Sequence, residues 1–317
     1  MSAPVTVAVV SWNTRDLLAR CLKSLVADAE SGLADVHVVD NGSSDGSPAL
    51  VRERFAFANL IEPGANLGFG RAVNLVAEMT DSPWLCAANA DVALAAGALG
   101  RLVEAGERHP HAGALAPMLT WEDGTPQHSF HGFPTLRHSL ALNLGLPRVS
   151  RAAAQRMCIE GRIDPAHPRE VPWAIGALLL LRRSAFDAAG GFDERRWMYA
   201  EDLALGWELA RHGWTTRYVP DARAVHASGA AATQAFGERR EARYMEATYA
   251  WMRSTRGTRR TQAVAAVNWA GAAARAAALA PLARRFERFR APREEYRVWA
   301  DAHRRGLSGR GSMLARR

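Results

Sequence analysis

The chain has 317 residues, 48% of them hydrophobic and 23% charged, with a net charge of +8. That is an ordinary soluble composition, long enough for one large α/β domain plus an appendage, and its three widely spaced cysteines, Cys21, Cys86 and Cys158, suit a reducing compartment and not a disulfide framework. Residues 238–317 hold 19 arginines against 7 acidic residues, whereas residues 1–237 hold 21 basic and 25 acidic ones, so an anionic partner is expected to meet the C-terminal quarter alone.

Met1-Ser-Ala-Pro4 leads straight into a strand-like run, with no basic stretch ahead of a cleavable apolar one, so no secretion signal is expected. The longest unbroken apolar run, residues 173–181, is about half the ~20 residues that span a bilayer, which predicts no transmembrane helix.

Residues 5–10 are continuously apolar and β-branched, and Leu17, Leu18, Cys21, Leu22 and Leu25 then recur at helical spacing. This predicts a strand followed by an amphipathic helix. Residues 36–39 read as a second strand, and the turn cluster Asp40-Asn-Gly-Ser-Ser-Asp-Gly46 ends in Ser47-Pro48, a helix start. Residues 59–61 read as a third strand, 69–79 as a helix and 84–88 as a fourth strand. Such alternation implies parallel pairing with right-handed crossovers, and ligands then lie beyond the carboxyl ends of the strands. Asp40 closes the second strand there, and Asn89-Ala-Asp91 closes the fourth.

Residues 118–170, rich in Pro, His and Gly, read as a long irregular insertion in which 136–146 form a helix, and substrate selectivity is expected there. An apolar strand at 173–181, a short helix at 184–189 and a Gly190-Gly-Phe-Asp193 turn follow. A helix then starts near Glu201, with strands at 215–219 and 222–226 after it. Beyond Gly237 the chain reads as helical, with an Ala-rich piece over 261–283 and an Arg-rich end.

The adjacent carboxylates Glu201 and Asp202 at a helix entry, His226 at a strand exit and Asn89-Ala-Asp91 together offer a general base and a metal site. That combination points to transfer chemistry on a phosphorylated donor.

In these residues the chain resembles the family 2 glycosyltransferases of the GT-A fold, particularly their bacterial rhamnosyltransferase-like branch. The similarity spans roughly residues 5–255 and rests on segments in the family's order. They are Val9-Val-Ser-Trp-Asn13, Val39-Asp-Asn-Gly-Ser-Ser-Asp-Gly-Ser47, Asn66-Leu-Gly-Phe-Gly70 with Asn74, Asn89-Ala-Asp91, Gly176-Ala177, Gly190-Gly-Phe-Asp-Glu194, Tyr199-Ala-Glu-Asp202, and Val219-Pro-Asp-Ala222 with His226.

The resemblance implies a Rossmann-like, mostly parallel central sheet with flanking helices over residues 1–236, 118–170 being an acceptor-side insertion; the basic helical extension over 237–317 lies outside the resemblance proper. It implies that Asp40 accepts a hydrogen bond from the donor's base while Trp12 lies against that base. Ser11, Asn13, Asn66, Gly68, Arg71, Asn89 and Gly176 complete the implied nucleotide-sugar site. Asp91 and His226 would hold Mg²⁺ or Mn²⁺ on the diphosphate, and Asp202, oriented by Glu201, would take the acceptor's proton in an inverting displacement. Two positions depart from the family's Glu-Asp-x-Asp-Leu-x-x-Arg pattern, namely Ala204 and Glu208, and joint loss suggests that an ion pair was dropped.

The branch points to dTDP-rhamnose, with UDP- and GDP-sugars as other donors, and to a glycan or lipid-linked glycan acceptor. The expected location is the cytoplasm, peripherally on the inner face of the plasma membrane, with the Arg-rich tail on anionic lipid. A competing reading is a non-catalytic scaffold, or a nucleic-acid binder through the tail; no nucleic-acid partner is expected, because no recognisable module accompanies the arginines. A dinucleotide oxidoreductase is disfavoured, since Gly64-Ala-Asn-Leu-Gly-Phe-Gly70 lacks G-x-G-x-x-G spacing.

Overall fold

A computed structural model describes residues 3–227 and 240–308. Contacts divide the chain into two compact units, Met1–His131 with Ile163–Ala235, and Gly132–Arg162 with Phe236–Arg317.

The first unit is α/β. Its strands are β1 (Val5–Ser11), β2 (Ala34–Asp40), β3 (Ala58–Ile61), β4 (Trp84–Asn89), β5 (Val92–Leu94), β6 (Ala112–Thr120), β7 (Phe130–His131), β8 (Arg169–Val171), β9 (Trp173–Ala174), β10 (Leu178–Arg182) and β11 (Thr215–His226). Its helices are α1 (Arg15–Glu30), α2 (Ser47–Arg54), α3 (Phe69–Glu78), α4 (Ala98–Arg108), α8 (Arg183–Ala188) and α9 (Glu201–Arg211). The main sheet runs β3-β2-β1-β4-β10-β6-β11-β5 with β8 beside β11, and β7 pairs with β9 separately. β1 to β4 pair in parallel, as their alternation with helices predicts, whereas β10 is antiparallel to both β4 and β6.

The amphipathic spacing of α1 is realised directly: Leu18, Cys21, Leu22 and Leu25 are fully buried against Val5, Val7 and Val9 of β1. Truncating one such leucine to alanine costs about 2–5 kcal/mol. Two expected elements differ in their breaks. The apolar run at 173–181 is interrupted between β9 and β10, because the Ile175 N–H bonds to Ser129 O and the Ala177 carbonyl turns to the Asn89 N–H. The strands expected at 215–219 and 222–226 are one strand, β11, whose register against β6 shifts between Val219 and Arg223. The Pro220-Asp-Ala222 stretch is absorbed as a bulge.

The second unit is helical, with α5 (Leu136–Asn143), α6 (Leu146–Val149), α7 (Arg151–Arg156), α10 (Arg240–Arg256), α11 (Thr258–Arg285) and α12 (Arg290–Leu307). Much of the expected insertion, residues 132–162, therefore packs with the C-terminal helices, and the boundary expected at 236/237 lies outside the described residues. By length and composition α11 is apolar enough to cross a membrane, with a mean hydropathy of 1.3 over a window that is 17% buried. The sequence expectation of no such helix rested on unbroken aliphatic runs. Between Arg260 and Arg284 alanine supplies the apolar character around a single Arg275.

Candidate active site

Parallel register gathers the first group of residues. Ser11 pairs with Asp40 and Val10 with Asn89, so the carboxyl ends of β1, β2 and β4 share one edge. Asp40 is 2% exposed. Its Oδ1 accepts the N–H groups of Gly42 and Ser43 at 3.1 and 2.8 Å, a turn that Gly42 permits at φ +81°. Its Oδ2 is buried without a hydrogen-bond partner, an acceptor that costs free energy until a donor arrives.

The neighbouring loops are stitched to this turn. The Asn13 N–H donates to Ser43 Oγ and its Oδ1 accepts the Ser44 N–H, each at 2.8 Å, while Asn41 reaches the 67–68 loop through Gly68 O and the Leu67 N–H, each at 3.3 Å. Asn66 Oδ1 accepts the Gly68 N–H at 3.0 Å, and its carbonyl accepts Trp197 Nε1–H at 3.3 Å. Gly68 has φ +80°, and a Cβ there would lie 2.2 Å from Trp197 O, so only glycine fits. Trp12 is half-buried where β1 ends. Ser11 is fully buried with its hydroxyl 3.3 Å from Thr14 Oγ1, a supporting role for the loop, and Arg71 lies out at the rim, 3.6 Å from Glu194.

The second group is made by antiparallel pairing of β5 with β11. Val92 opposes His226, and the Ala227 N–H bonds to Asp91 O at 3.0 Å. His226 Nε2 stands 3.4 Å from Asp91 Oδ1, with both side chains 8% exposed. The Gln127 Oε1 atom lies 2.7 Å from His226 Nδ1, an acceptor that favours the tautomer with the proton on Nδ1 and a lone pair on Nε2. Asp91 Oδ1 makes no hydrogen bond. In that tautomer two acceptors face each other in a buried place, an arrangement that suits a hard divalent ion between or beside them. Among the described residues no three His, Cys, Asp or Glu side chains form a metal cage, so such an ion would draw its other ligands from phosphate oxygens and water.

The third group starts α9. Tyr199 and Ala200 precede it at φ +69° and +62°, each a strained placement of roughly 1–3 kcal/mol for a non-glycine residue. This backbone delivers Glu201 and Asp202 to the first turn. The Gly176 N–H donates to Asp202 Oδ2 at 3.1 Å, and the Leu203 N–H to Oδ1 at 2.7 Å. Glu201 is half-buried as a residue, yet its Oε2 is buried without a hydrogen-bond partner. Burial raises the pKa of Asp202 against those two N–H groups, and burial followed by the Asp202 charge raises that of Glu201, with Arg196 opposing.

Through residues 176–177 the first and third groups connect: Ala177 O accepts the Asn89 N–H at 2.9 Å, and Gly176 holds Asp202. Gln127 and Arg196 are functional candidates that the sequence did not point to. Ala204 is buried, and Glu208 pairs with Arg211 at 3.1 Å, an exposed replacement for the ion pair missing at those positions.

The glycosyl transferase family 2 model matches residues 6–190, and the glycosyl transferase family group 2 model matches residues 158–290. The chain belongs to glycosyl transferase family 2. Over 240 residues this family 2 glycosyltransferase is 37% identical to N-acetylglucosaminyl-diphospho-decaprenol L-rhamnosyltransferase of Mycobacterium tuberculosis, covering 71% of this chain and 76% of that one. Over 56 residues, 18% of this chain and 21% of the other, it is 39% identical to the rhamnosyltransferase WbbL of Escherichia coli K12. Its fold resembles that of the mannosyltransferase PcManGT from Pyrobaculum calidifontis, solved with GDP-Man and Mn²⁺, at a TM-score of 0.60 and 19% identity over 98% of this chain and 90% of that one. The GT-A expectation for the fold, and the rhamnosyltransferase-like standing within the family, both hold.

Proposed function

We propose that this glycosyltransferase moves rhamnose from dTDP-rhamnose to a hydroxyl of a lipid-linked glycan, with inversion and with Mg²⁺ or Mn²⁺, at the inner face of the plasma membrane. The observation that carries the reading is the 3.4 Å approach of His226 Nε2 and Asp91 Oδ1, two acceptors without a hydrogen bond between them, on the same sheet edge as an orphaned Asp40 Oδ2. The name of the mycobacterial relative supports the donor sugar and the acceptor class, and the Mn²⁺ in the mannosyltransferase complex supports the metal.

Asp40 Oδ2 would accept the imide N–H of the donor's base, with Trp12 against the ring. Asn66, Gly68 and Asn89 line the approach to the sugar nucleotide, and Asp91 with His226 would hold the metal. Held there, such an ion would supply positive charge to offset that of the departing diphosphate. Asp202, fixed by the Gly176 N–H, takes the proton of the acceptor hydroxyl as its oxygen bonds to the anomeric carbon and the carbon–phosphate-oxygen bond breaks. The products are the glycoside, dTDP and a protonated Asp202. A non-catalytic scaffold has no use for a strained α9 entry carrying two carboxyls of raised pKa.

The test is release of dTDP from dTDP-rhamnose, with and without a polyprenyl-diphosphate N-acetylglucosamine acceptor, for the wild type, Asp202→Asn and Asp91→Asn. Activity in the wild type that falls ~10²–10⁴-fold in Asp202→Asn supports the base. Equal rates in wild type and Asp202→Asn across dTDP-, UDP- and GDP-sugars would exclude it.

A further inference from the structure

Of the thirteen large hydrophobic side chains exposed among the described residues, eleven lie in the helical unit, which is barely more than a third of the chain. Six of them fall within fourteen residues of α5 and α6: Leu136, Leu140, Leu142, Leu144, Leu146 and Val149. Scattered surface leucines need no explanation, but a contiguous set of this density marks an interaction face. Leu144 is 82% exposed and Val149 85% exposed, values at which an aliphatic side chain touches almost nothing of its own protein.

The local backbone presents these residues firmly. Thr135 caps α5 by accepting the His138 N–H at 3.0 Å, Gly145 turns the chain at φ +75°, and Pro147 occupies the first turn of α6. Within the same unit α5 is fixed to α11, since Asn143 bonds to Asn268 at 3.0 Å and accepts from Arg275 at 2.8 Å. Gly271 lets them meet, for a Cβ there would lie 1.7 Å from Asn143 Oδ1. The exposed apolar residues thus sit on a segment tied to α11 of its own unit.

Charge identifies what it meets. No acidic residue occurs from 124 to 159, while Arg137, Arg148, Arg151 and Arg156 flank the leucines. The whole helical unit carries 24 arginines against 8 acidic residues. A second copy would bring two strongly basic surfaces together, and a nucleic acid would leave the leucines in water. An anionic bilayer surface satisfies both, with arginines at the headgroups and leucines in the acyl boundary.

We propose that the α5–α6 hairpin is the wedge by which this protein seats on an anionic membrane, with Leu144 and Val149 entering the acyl boundary. The assignment is independent of the catalytic reading, and it moves the principal anchor from the C-terminal tail to residues 136–149.

The experiment is flotation of the full chain with vesicles of phosphatidylcholine alone and of phosphatidylcholine with phosphatidylglycerol. Dispersion of dTDP-sugar hydrolysis and circular dichroism are measured in parallel on each variant. The wild type is expected to float with the anionic vesicles only and to be released by salt. Leu144→Glu/Val149→Glu, and the milder Leu144→Ala/Val149→Ala, are expected to lose binding by at least about tenfold while circular dichroism and donor hydrolysis stay unchanged. Leu282→Glu on α11 is expected to float like the wild type. Failure of the wild type to float with anionic vesicles would overturn the proposal, as would hairpin variants that float undiminished. Light scattering that shows a wild-type dimer dissociated by Leu144→Glu/Val149→Glu, without vesicle binding, would assign the face to self-association instead.

Discussion

Gly176 and Asp202, 26 residues apart, meet through one hydrogen bond of 3.1 Å from backbone N–H to Oδ2. The same glycine stands 3.3 Å from the Phe69 ring and 3.5 Å from Asp202 Cβ at the point where a Cβ would be built. The contact with Asp202 Cβ would be an ordinary one, but an alanine there presses on the Phe69 ring, which must yield by a few tenths of an ångström or push the backbone at residue 176, and with it the N–H that holds Asp202 Oδ2, the other way. Gly176→Ala is therefore expected to fold and to bind donor, yet to lose roughly ten- to a hundredfold in kcat, the scale of a misplaced reacting group. Steady-state kinetics check this, and an unchanged kcat would mean that the 176–177 loop does not set the base.

Glu201 and Asp202 share a site in which burial raises both pKa values, and the Asp202 charge adds to the effect on Glu201. A raised folded-state pKa means that the folded protein keeps its proton to higher pH than the unfolded chain. Stability from this pair is therefore lost as pH rises from the unfolded pKa through the folded one. Two outcomes follow for Glu201→Gln. Its Tm at neutral pH is expected to exceed that of the wild type, and the acid limb of its kcat/KM profile, set by Asp202, is expected to stay in place, because burial and not a Glu201 charge raises the Asp202 pKa while Glu201, raised further by the Asp202 charge, is the second of the two to ionise. A limb that moves to lower pH would mean that Glu201 is already charged when Asp202 loses its proton.

Long, strictly patterned elements were legible in the sequence. α1 announces itself through Leu18, Cys21, Leu22 and Leu25, all of which are buried. By contrast β6 is buried along its whole length yet consists of Ala112-Gly-Ala-Leu-Ala-Pro-Met-Leu-Thr120, small residues without alternation, and β5 has three residues. Neither has a period to read. Asp40, Asp91, Asp202 and His226 stand out because each terminates or opens an element inside a family-like segment. Gln127 does not, since its meaning lies in a 2.7 Å contact with a residue 99 positions away. Arg196 was hidden likewise, as its effect on Glu201 depends on how the turn before α9 folds back.

The facing lone pairs of Asp91 and His226 make a prediction for metal binding. Mn²⁺ added with dTDP is expected to raise the Tm of the wild type above that with dTDP alone, by mass action on the folded state. Asp91→Asn is expected to lose this increment while retaining the shift from dTDP, whose base is proposed to meet Asp40. Differential scanning fluorimetry with and without a chelator reads both. An increment that survives in Asp91→Asn and in His226→Ala would place the ion elsewhere.

In the helical unit the Tyr249 hydroxyl and His303 Nδ1 share a hydrogen bond of 2.8 Å, and the tyrosine oxygen accepts from Asn268 Nδ2 at 3.3 Å. Burial lowers the pKa of His303 to about 4, because a charged imidazole would be poorly solvated there. The unfolded chain takes up a proton near pH 6.5 that the folded unit refuses until about pH 4. Stability thus falls as pH drops through this window, by up to about 3 kcal/mol in total and by about 2 kcal/mol at pH 5. Hydrogen exchange of α12, compared at pH-corrected intrinsic rates, should show protection declining from pH 7 to pH 5 in the wild type. His303→Gln cannot titrate there and is expected to keep a flat profile across the same interval. An identical decline in both proteins would assign the acid sensitivity of this unit to another group.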